Sequence, residues 1–317
     1  MDMDINMENM VRIRSRSFNL LIFRIDTQLF ILDNASQLNT IAPMLPVLLA
    51  AASSPWFAMP DGKYYHQSCI VHHEEFHFNI DTTQNDPCKF KPRNAASLAN
   101  YYSDWSVYAQ TATTSTFTSM TSTWKVPPKP LKHGPFELSS VYLFNGLEDG
   151  GGVHGKASII LQPVLQYGKS GCLINPVDWS TWHAGSYLVD GNGRAHCGKS
   201  FPVVENDTIV GTMIENGNNT WTVSTSGGKN NVTSSYTASL GDKQLNAAYL
   251  TLEGMVIYNC QTYPTNNGVE FSKIHLETKE GSVKSPQWKS ELRHTECDQS
   301  VNVIDGNNVE LKWNSNK

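Results

Sequence analysis

Two polar residues stand inside strands that are otherwise apolar, and their types suit hydrolysis without a metal or a covalent intermediate. Gln162 lies in the run ASIILQPVLQY at residues 157–167, and Glu253 in AAYLTLEGMVIY at residues 247–258. A carboxylate can take a proton from an attacking water and return it to a leaving amine. A carboxamide N–H can hold the charge that develops on a carbonyl oxygen. Strand alternation puts Ile160, Gln162, Val164 and Gln166 on one face, with Ile159, Leu161 and Leu165 on the other. Glu253 shares its face with Tyr249, Thr251 and Met255, opposite Leu250 and Leu252. A carboxylate in mid-strand is costly if buried without a partner. Glu253 is therefore expected to face a cleft or make a specific hydrogen bond, unless it is an ordinary exposed strand residue. Pro163 cannot donate to a ladder, which predicts an edge strand or a local bulge.

Other chemistries leave weaker marks. The chain has no G-x-S-x-G, no H-E-x-x-H, no P-loop and no dinucleotide fingerprint. The triple glycine at 150–152 follows Glu148 and Asp149 and precedes no Lys-Ser or Lys-Thr, so it reads as a strand connection. His66, His72, His73 and His77 lie near Cys69, Glu74 and Glu75, but without a metal-ligand spacing. That stretch reads as a polar surface extension; no metal and no cofactor are expected. A glycosidase would need two carboxyls ~5–9.5 Å apart across a cleft, and Glu148 or Asp149 with Glu253 are the candidates.

The elements that must position these residues are strands. Among 317 residues only 17% are charged, against about 25% in ordinary soluble domains. Lys and Arg number 24 and Asp and Glu 29, a net charge of −5, which argues against a nucleic-acid partner wanting a basic face. No run approaches the ~18 apolar residues of a membrane span. Residues 117–126 alternate, with Met120, Trp124 and Val126 on one face. Further strands are read at 139–146, 157–167, 208–214, 220–225, 247–258 and 309–313. Gly and Asn clusters separate them, and no amphipathic helix of useful length appears. The expected fold is all-β, a two-sheet antiparallel sandwich or jelly roll. It is expected to occupy residues 101–317 as a monomer, after an extension at 1–58 and a His-rich segment at 59–100.

A series of short landmarks follows in order: Trp124-Lys-Val-Pro-Pro, Leu143-Phe-Asn-Gly, Ile160-Leu-Gln-Pro-Val, Trp179-Ser-Thr-Trp182, Glu205-Asn-Asp-Thr-Ile209 and Ala248-Tyr-Leu-Thr-Leu-Glu253. In this order and spacing they resemble the eqolisin family of glutamic peptidases. The resemblance covers about half of the chain and implies a concanavalin A-like sandwich acting on polypeptides. It also implies Gln162 and Glu253 as the catalytic pair. Tyr142, Phe144, Trp179, Trp182 and Tyr249 are the aromatic candidates for a substrate-binding surface. The same sandwich hosts non-catalytic lectin-like proteins, for which Trp179, Trp182 and Trp221 would stack on glycan rings. Gln162 and Glu253 side by side would favour the peptidase, a shallow aromatic platform the lectin.

The chain also carries marks of secretion. Met44 begins an apolar stretch at 45–52, with Ser53, Ser54 and Ala58 as small residues for cleavage. The run from Phe18 to Phe23 after Arg12, Arg14 and Arg16 is cut short by Arg24 and Asp26, so residues 1–43 read as an extension without a packed fold. Six cysteines permit fifteen pairings, and proximity favours Cys69–Cys88, Cys172–Cys197 and Cys260–Cys297. Asn206, Asn218 and Asn231 head glycosylation tripeptides. Together these predict an extracellular protein.

Overall fold

The computed structural model describes residues 10–14, 19–25, 28–32, 56–61, 63–82, 90–91, 102–132, 139–150, 159–173, 178–190 and 192–317. The chain divides into two units, residues 1–55 and 56–317. In the first, where the sequence suggested no packed fold, β1 (Met10–Arg14), β2 (Asn19–Ile25) and β3 (Gln28–Leu32) pair as an antiparallel sheet. The expected leader at residues 44–54 lies outside the described residues.

The second unit begins with β4 (Trp56–Ala58), β5 (Tyr64–His66), β6 (Ile70–His72), β7 (His77–Asp81) and β8 (Phe90–Lys91). It continues with β9 (Tyr102–Ala112), β10 (Phe117–Lys125), β11 (Ser140–Glu148), β12 (Ile160–Gly168), β13 (Trp182–Val189), β14 (Ala195–Cys197), β15 (Phe201–Val203) and β16 (Thr208–Glu215). The last strands are β17 (Thr220–Gly227), β18 (Val232–Ser239), β19 (Ala247–Ile257), β20 (Gly268–Thr278), β21 (Gly281–Ser282), β22 (Lys289–Leu292), β23 (Ser300–Val303) and β24 (Val309–Lys312). Two large sheets form a sandwich. The site sheet runs β22-β9-β19-β11-β12-β13-β14-β6, and the facing sheet β23-β24-β20-β10-β16-β17-β18-β7. Inner side chains such as Val107, Leu143, Leu161, Leu165, Leu250 and Leu252 meet Met120, Trp124, Met213, Trp221 and Val223 in one apolar cluster. At about 25 cal/mol per Å² of apolar surface removed from water, this layer is what holds the sheets together.

Four findings depart from the sequence reading. Pro163 is on a central strand, since β12 lies between β11 and β13. Its missing N–H is absorbed by the β11–β12 ladder, which pairs Phe144 with Val164 and Leu147 with Leu161 but skips Asn145 and Gly146 between them. The segment from residue 59 is not a surface extension. It adds β6 to the edge of the site sheet and β7 to the edge of the facing sheet, both in parallel pairings, and it buries Met59, Tyr65, Cys69 and Ile80. Trp182 and Trp221 are buried in the interior, and Trp179 is buried with its Nε1–H donating to the Leu173 carbonyl at 2.8 Å. These three rings form no exposed platform, because their apolar area is better spent between the sheets. Finally, β20 alternates as Val269-Phe271 and then Ile274-Leu276. A bulge with Lys273 at φ 52° flips its parity, which hides the strand from a period-2 reading.

Cys172–Cys197 and Cys260–Cys297 are bonded, over separations of 25 and 37 residues. Cys69 is a half-cystine, and Cys88 lies outside the described residues. Asn206, Asn218 and Asn231 are exposed on turns at φ 70°, 52° and 48°, the left-handed region that Asn tolerates better than most residues.

Candidate active site

The site sheet carries a second apolar layer on the face turned away from the sandwich interior. Trp105, Tyr108, Tyr142, Phe144, Ile160, Val164, Tyr187, Val189, Tyr249 and Met255 form it. Trp105 is its hub, packing edge-on against Tyr108, Phe144 and Tyr249 at centroid distances of 5.2, 5.6 and 5.1 Å. Alternation along β11, β12 and β19 turns Gln162, Gln166, Thr251, Glu253 and Glu148 to this same face. All five are buried, Glu253 and Gln162 at 0% exposure and Glu148 at 3%. Tyr142, Phe144 and Tyr249 are therefore on the face of Gln162 and Glu253, while Trp182 lies on the opposite face of the sheet.

The layer is roofed by the chain's own residues 57–70. Met59, Tyr65 and Cys69 join the cluster, with Tyr64 and Ile70 packed against it. The roof comes so close at Gly171 that a Cβ there would meet Met59 Sδ at 2.5 Å and Ile70 Cδ1 at 2.8 Å. It is held by Met59 N–H donating to the Lys63 carbonyl at 3.0 Å and, between side chains, by Tyr65 Oη–H donating to Asp61 Oδ2 at 2.6 Å. The central contact joins roof to sheet: Gln162 Nε2–H donates to the main-chain carbonyl of Pro60. An open groove of about 360 Å³ lies elsewhere, between Lys125–Pro128 and Asn266–Glu270.

Strand register decides which groups are neighbours. Glu253 pairs with Tyr142, and Tyr142 with Gln166. The glutamine in the row of Glu253 is thus Gln166, whose Oε1 accepts from Ser170 Oγ at 2.9 Å. Gln162 pairs with Tyr187 on one side. On the other side, the β11–β12 register sets it opposite Gly146, which pairs with Tyr249. Gln162 and Glu253 share a face but stand four rows and two strands apart. Buried polar atoms that lack a hydrogen-bond partner among the described residues gather here, Gln162 Oε1, Gln166 Nε2 and Thr251 Oγ1 among them. Buried polar atoms are usually paired, so this is an unusual concentration on one surface.

The electrostatics follow burial. Burial first, then the Glu253 carboxyl, holds the Tyr142 phenol well above its ordinary value. Burial, then Glu148, which also bonds the phenol, raises Tyr249. Burial, then Asp61, raises Tyr65, with Asp190 and Glu148 adding to it. Each of these phenols is thereby held in its neutral form through the ordinary pH range. Past Glu253 the strand is bent by a bulge, with Val256 at φ 55°, a conformation that costs a β-branched residue of order 1–3 kcal/mol. Among the described residues no cluster of three or more His, Cys, Asp or Glu is arranged to hold a metal. His73 meets His196 instead, at 3.4 Å, and His66 Nδ1 lies 2.8 Å from Ser68 Oγ.

No family model and no curated protein matches the chain. Among solved structures it is similar to a scytalido-glutamic peptidase bound to a peptide-based transition-state analogue, at 14% identity and a TM-score of 0.48, over 67% of this chain and 100% of that one. It is also similar to a member of the eqolisin family of peptidases in complex with the tripeptide Ala-Ile-His, at 14% identity and 0.46, over 67% and 100%. A third is scytalido-glutamic peptidase with a transition-state analogue inhibitor, at 13% and 0.41, over 68% and 98%.

The roof is what sequence reading missed. Its one signal was Trp56, Phe57, Met59, Tyr64 and Tyr65, five large apolar or aromatic residues crowded into a stretch otherwise read as polar.

Proposed function

We propose that the outer face of the site sheet is the active surface of a secreted hydrolase that cleaves peptide bonds with an activated water. The observation that carries this reading is the Gln162–Pro60 contact. A buried carboxamide already holds a main-chain carbonyl on a face lined with aromatic side chains and carboxyls. An extended polypeptide presents the same carbonyl. Gln162 Nε2–H would stabilise the oxyanion as it forms. A carboxyl of the same face would carry the water's proton to the leaving amine; Glu253 is the one that the strand motif marks. Tyr142, Phe144 and Tyr249 would flank the bound chain. A substrate must first displace residues 57–65. Exposed sequons and the paired cysteines fit an extracellular site of action.

Incubation of the full-length protein with a denatured protein across pH 2–8, read by mass spectrometry, tests this. Cleavage is expected on the acid side, because the carboxyl must alternate between base and acid and the ordinary carboxyl range lies well below neutrality. Gln162→Ala is expected to lower kcat ~10²–10³-fold, the usual cost of one oxyanion donor. A wild-type protein that cleaves nothing but binds glycans would sink the reading in favour of a lectin.

A further inference from the structure

We infer that Gln166 is a second binding carboxamide of this face, and that with Gln162 it holds an extended polypeptide at two main-chain carbonyls four residues apart. The inference deepens the reading above and rests on its placing of a polypeptide on this surface. Spacing is the first argument. The two glutamines lie on the outer face of β12, four positions apart, with Val164 between them on the same face. At about 3.4 Å per residue that is roughly 14 Å. A peptide laid along β12 in extended form has the same rise. Its carbonyls at one residue and at the fourth residue beyond it therefore repeat at the same interval and point the same way. The Val164 side chain carries no donor, so the carbonyl between them is left to water.

Orientation is the second argument. Ser170 Oγ accepts from the backbone N–H of Cys172 at 3.1 Å and of Leu173 at 3.0 Å. Both of its lone pairs are used, and the hydroxyl proton remains for Gln166, 2.9 Å away. The Gln166 amide must therefore turn Oε1 to Ser170, which leaves Nε2–H over. That donor is buried on a residue of 0% exposure and has no partner among the described residues. A buried donor without an acceptor is costly to keep, and a ligand carbonyl would satisfy it.

The roof is the third argument, because it engages Gln162 and not Gln166. Pro60, whose carbonyl meets Gln162, lies in the turn that joins β4 to β5, closed by Met59 N–H on the Lys63 carbonyl at 3.0 Å. A chain that reverses between residues 59 and 63 does not run on along β12 to offer a second carbonyl. An extended substrate does, and so gains a hydrogen bond that the roof lacks. The polypeptide that displaces the roof is thus one long and straight enough to reach both glutamines. Its side chains matter less, since every residue carries the carbonyl.

The test uses peptides of alternating Ala and Thr, four to nine residues long and labelled at one end. They are titrated by fluorescence anisotropy into the full-length protein carrying Glu253→Gln, so that binding is read without turnover. Affinity is expected to rise about three- to tenfold, the worth of one added hydrogen bond. The rise should come at the length where a peptide first holds two carbonyls four residues apart. Adding Gln166→Met keeps the bulk and removes the donor; it should erase that step and leave the shorter peptides unchanged. Adding Gln166→Glu should keep the step at acid pH, where the buried carboxylic acid donates its O–H, and lose it as the carboxyl ionises. Packing alone would give no such response. Circular dichroism and Tm establish the folding of each variant. A step that persists undiminished in folded Gln166→Met, or no step at any length, overturns the inference and leaves the hydrolase reading where it was. If wild type cleaves none of these peptides while the step is present and depends on Gln166, the two-point hold stands and the hydrolase reading falls.

Discussion

On β17 every second residue, from Thr220 to Ser226, is partly exposed; on β12 no residue is. The facing sheet turns a hydroxyl-rich surface to water, with Thr222 and Thr237, Ser224 and Ser235, and Ser226 and Thr233 in contact across β17 and β18 at 3.3, 3.0 and 2.9 Å. The site sheet is dry on both faces, and β11, β12 and β13 are buried throughout. A sheet with one wet face needs only an interior to be stable. A sheet with two dry faces needs a second cover, and here the chain's own residues 57–70 supply it. The contrast locates function: the facing sheet is finished as it stands, whereas the site sheet holds polar groups under a roof.

The contrast breaks most directly at Tyr142 and Ser224. Both point away from the sandwich interior, so a simple sandwich would treat them alike. Tyr142→Ala is expected to cost about 3–5 kcal/mol, as a large core truncation does. Ser224→Ala should stay within about 0.5 kcal/mol, as surface changes do. Urea denaturation of the two variants decides it, and equal, small effects would mean that the outer face of the site sheet is not a packed layer.

A smaller effect sharpens the same contrast through two threonines. Thr225 donates to the Gly185 carbonyl and meets Ser186 Oγ, both at 2.9 Å, across the sandwich interior. Thr251 Oγ1 has no partner among the described residues. Thr225→Val should cost about 1–3 kcal/mol by stranding buried groups, while Thr251→Val should be neutral or slightly stabilising. A Thr251→Val variant as damaged as Thr225→Val would show that its hydroxyl has work within the folded protein.

Most of the sandwich was legible because its facing sheet obeys period 2: β10, β16, β17 and β24 could be read from alternation alone. The faces of β12 and β19 were legible too, since Leu161 and Leu165, and Leu250 and Leu252, mark the interior side. What could not be read has three physical causes. β13 is buried on both faces, so its sequence gave no sign that Trp182 lay inside. β20 changes parity at Lys273. The parallel docking of β6 and β7 joins residues more than 120 positions apart, and no local pattern encodes such pairing. The same limit applies to the site. Alternation put Gln162 and Glu253 on one face, but the row each occupies depends on the register of β11 between them. That register puts Gln166 in the row of Glu253.

The mildest expected effect concerns the edge where the roof is tied down. His73 N–H donates to the Cys197 carbonyl at 2.9 Å, continuing the β6–β14 ladder, and its ring stacks on Phe78 at a centroid distance of 3.8 Å. Its Nε2 lies 3.4 Å from Nδ1 of His196, whose Nε2 is 3.3 Å from Asp190 Oδ2. Burial, then His196 and His72, push the His73 pKa down to about 4. The sign follows from where the proton binds. Between pH 6.5 and 4 the detached, solvated segment binds a proton that the docked segment refuses, so docking is weakened by acid. It is at full strength above about pH 6.5, declines as pH falls towards 4, and changes no further below that on account of His73. Hydrogen exchange corrected for intrinsic pH dependence should show protection at His73 falling from pH 7 to 4, while the β16–β17 ladder holds constant. His73→Phe keeps the stacked ring without the titrating nitrogen and should flatten the slope. An unchanged slope in that variant, or equal loss in both ladders, would mean that the acid response belongs to the whole sandwich and not to the edge that holds the roof.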